Sequence, residues 1–95
     1  MITSSANKKS ERLFNRELET WPTKALSRTA LRKLAQVDAA TGLHDLRTPP
    51  SNHLEKLSGD RRGQHSIRIN LQWRICFTWR HPDAYDVEVN KHYER

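Results

Sequence analysis

The chain contains a single cysteine, Cys76, and only three glycines among its 95 residues. One cysteine cannot close an internal disulfide, which fits a reducing compartment, the cytoplasm. Three scattered glycines leave no glycine-rich loop to cradle a nucleotide phosphate. No apolar run approaches the roughly 18 residues that a membrane span needs. Residues 1–11 lack the apolar stretch of a secretory leader, so no membrane insertion is expected. The five histidines (His44, His53, His65, His81 and His92) show no ligand spacing and have no cysteine pair beside them. No zinc site, and no metal or other cofactor, is therefore expected. What the chain has in excess is positive charge. Lys and Arg number 17 against 11 Asp and Glu, a formal net charge of +6. That surplus favours an anionic partner: nucleic acid, a membrane surface or an acidic protein.

Length predicts one domain over 1–95, with 1–10 either a short edge strand or a flexible start. Leu13, Phe14 and Leu18 give weak helical spacing over 10–20, and Trp21-Pro22 interrupts it. Residues 23–40 carry the strongest helical pattern. Leu26, Ala30, Leu31, Leu34 and Val37 make one apolar stripe, with Lys24, Arg28, Arg32 and Lys33 assigned to the wet side. Thr41-Gly42 ends the helix, and 48–52 reads as a rigid loop. The period then switches to two. Ile67 and Ile69 alternate with Ser66, Arg68 and Asn70; Trp73, Ile75, Phe77 and Trp79 alternate with Arg74, Cys76, Thr78 and Arg80. A third strand places Tyr85, Val87 and Val89 on one face and Asp86, Glu88 and Asn90 on the other. Helices followed by a strand meander predict an α+β fold, with N-terminal helices packed on an antiparallel β-sheet.

A one-residue slip would turn a whole apolar set to the wrong face. Ile67 must therefore oppose Ile75, Ile69 must oppose Trp73, and Asn70-Leu71-Gln72 is the loop. The same register sets Arg68 opposite Arg74 on the polar face, an arrangement that asks for an anion. That anion is either the carboxylate of Glu88 on the next strand or a phosphate gripped by guanidinium forks. If the last strand continues, His92 joins the face of Glu88 and Asn90 beside Arg74, while Lys91 and Tyr93 point the other way. Arg61-Arg62, in a turn beside Gly63, are either solvated or a phosphate grip. Parity favours core packing over base stacking for Trp73 and Trp79. Nothing near Cys76 marks it as a nucleophile.

Four segments in order carry a more specific signal. They are Leu43-His44-Asp45-Leu46-Arg47-Thr48-Pro49-Pro50, Asn52-His53-Leu54-Glu55-Lys56-Leu57-Ser58-Gly59-Asp60-Arg61, Gly63-Gln64-His65-Ser66-Ile67-Arg68-Ile69-Asn70 and Gln72-Trp73-Arg74-Ile75-Cys76-Phe77. Together they resemble the HigB-type toxins of the RelE/ParE superfamily of toxin–antitoxin modules, over nearly the full length. The resemblance implies a small RelE-like domain and a toxin that cuts mRNA on the ribosome without a metal. It also implies a HigA-like helix-turn-helix antitoxin, with operator DNA reached only through the toxin–antitoxin complex. By position, Arg74 resembles the arginine that stabilises the transition state, and Arg68 and Arg61 match basic positions near the RNA backbone. The family commonly ends its last strand in Tyr-His. Here the order is His92-Tyr93, after Lys91, with two residues more. Some members carry a histidine or lysine within the segment that is 54–59 here, and the nearest counterparts are His53 and Lys56. The expected catalytic set is thus Arg74, His92 and Tyr93, and the expected RNA contacts are Arg68, Arg61, Arg62, Lys56, His53 and Lys91. Two rival functions remain at this stage: a gyrase inhibitor of ParE type, and a basic RNA-binding module without chemistry.

Overall fold

The computed structural model describes residues 1–18 and 20–91. Two α-helices, α1 (Lys8–Phe14) and α2 (Ser27–Ala39), precede a sheet of four strands: β1 (Glu55–Lys56), β2 (Gln64–Arg68), β3 (Trp73–Arg80) and β4 (Asp83–Lys91). The strands pair antiparallel in sequence order, a meander. Short 3-10 turns at Leu43–Arg47 and Pro50–Asn52 connect α2 to the sheet, and a third, Gly59–Arg61, joins β1 to β2.

A side-chain oxygen holds the start of α1, whereas α2 follows Leu26 with no side-chain cap of its own. Asn7 accepts the Ser10 N–H through Oδ1, so α1 begins before the stretch that its apolar spacing marks. Thr23 draws the Leu26 N–H to its hydroxyl and the Ser27 N–H to its carbonyl. Residues 23–26 are thereby a separate turn, and α2 starts at Ser27 rather than at the expected 23. The stripe Ala30, Leu34 and Val37 packs with Leu13 and Leu46 against Ile67, Ile75, Phe77, Val87 and Val89. Each large apolar side chain buried here contributes roughly 1.5–3 kcal/mol. One member of the assigned wet face departs from expectation: Lys33 is only 5 % exposed.

The β2–β3 register is the one that parity requires, with Ile67 opposite Ile75 and Arg68 opposite Arg74. Asn70 closes the tip: its Oδ1 accepts the N–H groups of Gln72 and Trp73. The β3–β4 pairing carries a bulge. Cys76 faces Glu88, yet Thr78 faces Tyr85 and Trp79 faces Ala84. Asp86 takes the left-handed conformation at φ 53°, which absorbs the extra residue. Beyond it the parity inverts. The fully buried Ala84, not Tyr85, faces the helices, and Tyr85 lies under the Arg80 guanidinium. The expected alternation of Tyr85 with Val87 and Val89, and of Asp86 with Glu88, is corrected by this bulge. Residues 1–6 run parallel to β4, bridging Ile2 to Ala84 and Ser5 to Val87, and the Ser4 hydroxyl accepts the Asp86 N–H. The Val89 N–H donates to the buried hydroxyl of Ser10, tying α1 to the end of β4.

Candidate functional site

The start of β3 and the end of β4 meet at one end of the sheet, where α1 contributes Lys9 and the following segment Trp21. Between them lies an open groove of about 590 Å³. Lys9, Arg61, Arg74 and Lys91 line it against a single carboxylate, Glu88. Trp21 meets Trp73 edge-on at 5.6 Å between ring centroids. Lys91 Nζ stands 5.8 Å over the Trp73 ring and Lys9 Nζ 5.7 Å over the Trp21 ring. The wall is thus aromatic and capped by ammonium groups at cation–π distance. Trp73 and Trp79 are partly buried and pack against the core, as parity predicts.

The polar floor is organised by amides as well as charges. Arg61 uses both ends of its fork, donating to Gln64 Oε1 at 3.0 Å and to Glu88 Oε1 at 3.1 Å. Arg74 donates from Nε to Asn90 Oδ1 at 3.4 Å, across the β3–β4 pair. Glu88 therefore holds Arg61, while the Asn90 amide orients Arg74. Glu88, one of the two anions expected to answer the Arg68–Arg74 pair, is bonded to Arg61. Glu88 stands opposite Cys76, two pairs along the ladder, and Asn90 is the residue directly opposite Arg74. Cys76 is fully buried beneath these groups, and burial pushes its thiol pKa up, against the pull of Arg74 and Arg61. That direction disfavours the thiolate, the form a cysteine nucleophile needs.

The other expected residues are dispersed. Arg68 is the Cα partner of Arg74 but lines a second groove, together with His53. Lys56 lines a third, with His44, Arg47 and His65. Arg62 is exposed at the turn into β2. His92 and Tyr93 lie outside the described residues. Lys9, Trp21 and Asn90 belong to the site without having been singled out. Trp21 is about fifty residues from Trp73 in sequence, and no periodicity links them. Asn90 carried a readable signal, since register alone sets it opposite Arg74.

The HigB-like toxin family, RelE-like toxins of type II toxin–antitoxin systems, matches residues 4–93 of the chain. Toxin HigB-1 of Vibrio cholerae serotype O1 is 38 % identical over 68 residues, 72 % of each chain. The chain belongs to the HigB-like toxins. An uncharacterised protein of Haemophilus influenzae is 33 % identical over 67 residues, covering 70 % of this chain and 66 % of the relative. A chain of the YoeB–YefM complex from Staphylococcus aureus superposes with a TM-score of 0.62 at 16 % identity, covering 98 % and 99 % of the two chains. That likeness establishes the RelE-like fold. In this HigB-like toxin the basic groove is thus carried on a toxin scaffold, and no described helix is long and apolar enough to cross a membrane.

Proposed function

We propose that this HigB-like toxin is an endoribonuclease that cuts mRNA on the ribosome, with the Arg74 groove as its scissile site. The observation that carries this reading is the groove itself. It joins four cations and one carboxylate to a tryptophan pair, a surface suited to single-stranded RNA. RNA cleavage through the 2′-hydroxyl needs a base, an acid and a cation beside the phosphorane. Arg74, oriented by Asn90, supplies the cation. Proton transfer is assigned to His92 and Tyr93, which follow directly on the groove residue Lys91. Arg61 holds a neighbouring part of the backbone, and Arg62, Lys56 and His53 contribute to the wider basic surface. The acting partner is the ribosome with its mRNA. The controlling partner is a HigA-like helix-turn-helix antitoxin, and operator DNA is engaged only through that complex.

Mapping mRNA 5′ ends after induction tests the reading. New ends within translated codons support it. Intact transcripts with trapped DNA would instead assign a ParE-type action on gyrase. Arg74→Ala should relieve growth arrest with an unchanged circular-dichroism spectrum; full toxicity in that variant rejects Arg74 as the catalytic cation.

A further inference from the structure

The second groove, about 390 Å³, lies between α2, the 3-10 turn at Pro50–Asn52 and the hairpin tip. Among the described residues its lining includes Arg32, Lys33, His53, Arg68, Thr29 and Asn70, and no carboxylate. Lys33 distinguishes it from an ordinary basic surface. The side chain is 5 % exposed, and its ammonium donates to Asn52 Oδ1. Asn52 is fully buried and locked in place, since its amide NH2 donates to Gln36 Oε1 and to the Leu46 and Thr48 carbonyls. The amide is thereby oriented to aim its oxygen at Lys33. Among the described residues, no carboxylate pairs with Lys33. An ammonium has three donors, and a buried charge without a counter-ion is costly. Asn52 offers it only a neutral oxygen.

We infer that this groove is a second phosphate subsite, in which Lys33, Arg32 and Arg68 hold an RNA backbone phosphate away from the one being cut. The inference deepens the RNA reading of the Arg74 groove and rests on it. One observation favours RNA over an acidic protein segment. Arg68 and Arg74 are direct cross-strand partners, so the two basic grooves adjoin across one hairpin and a continuous polyanion can run from one to the other. Burial and the neighbouring Arg32 both lower the Lys33 pKa, and a bound phosphate would reverse that direction.

The test uses the full chain and uncleavable 2′-O-methyl oligoribonucleotides of increasing length, read by NMR and by binding affinity. Short oligomers should shift the Trp21 and Trp73 indole signals. Longer ones should in addition shift Arg32, Lys33 and Asn70 and bind about tenfold more tightly, the size of one charge-assisted contact. Lys33→Met should abolish that gain while short oligomers bind as before. The exposed Arg32→Gln, which leaves the Lys33–Asn52 contact in place, should reduce the gain and so covers the case in which K33M does not fold. If the indole signals respond and the second groove is silent at every length, the inference fails and the RNA reading stands. If neither groove responds, both fail. If a polyglutamate peptide shifts the second groove where RNA does not, the groove belongs to a protein partner and the inference is overturned.

Discussion

Arg74 and Asn52 carry different kinds of weight. Arg74 is half-buried at the mouth of a groove, so its truncation leaves the core intact. Loss of one preorganised charge donor to a transition state costs about 10²–10³ in rate. Arg74→Ala should lower single-turnover cleavage on ribosomes by that order, with Arg74→Lys recovering part of it. Equal rates for R74A and wild type would reject the role. Asn52 makes no contact with the Arg74 groove, yet it satisfies one ammonium, one side-chain amide oxygen and two carbonyls. Asn52→Ala leaves several of these buried and unmet, and should cost roughly 2–4 kcal/mol in urea unfolding. The partner of Lys33 is not legible locally, but its burial is. Lys33 lies three residues after Ala30 and four before Val37, on the face of the apolar stripe, while Arg32 is turned about 100° away from it. Only the packing of the Pro50–Asn52 turn over α2 decides that Asn52 meets its ammonium.

At the scale of elements, the β2–β3 hairpin is the part that the sequence describes best. Eight residues of β3 alternate cleanly, and period-two geometry leaves a single register that buries both apolar sets. The β4 bulge is the opposite case. Tyr85, Val87 and Val89 read as an unbroken alternation, and one inserted residue at Asp86 inverts the parity with no local mark. Aspartate tolerates the left-handed region better than most side chains. Asp86→Gly should therefore be nearly neutral, while Asp86→Val, β-branched at φ 53°, should lose about 1–3 kcal/mol in thermal or urea unfolding. An equal tolerance of both substitutions would remove the strain argument. The helix starts follow the same logic. Asn7 is readable as a cap, but α2 follows the Thr23 turn without a side-chain cap, and the apolar stripe alone does not place that start.

At the scale of the whole molecule, charge and titration set the conditions of action. A net charge of +6 makes any RNA affinity fall with salt. The log–log slope should be about −0.7 for each phosphate held, and a salt-independent affinity would exclude backbone recognition. Stability should also vary with pH through His65. Its Nδ1 is buried without a hydrogen-bond partner, and burial, with Lys56 nearby, lowers its pKa from the ordinary 6.5. Between the lowered folded value and 6.5 the unfolded chain binds the extra proton. Stability therefore rises with pH across that window and falls as pH drops below 6.5. His65→Gln, which does not titrate, should flatten this part of a urea-unfolding pH series. An unchanged slope would assign the dependence to another group.

The sequence by itself determined the α+β order, the hairpin register, the basic surplus and the family, because periodicity, net charge and ordered motifs are properties of the chain alone. Tertiary structure decided the rest. It gave Glu88 to Arg61, brought Trp21 onto Trp73, and divided the opposed arginines between two grooves. It also set Asn52 against Lys33. Each of these depends on where distant segments come to rest. A bulge or a turn shifts that placement by a few ångströms, which exceeds the reach of a hydrogen bond.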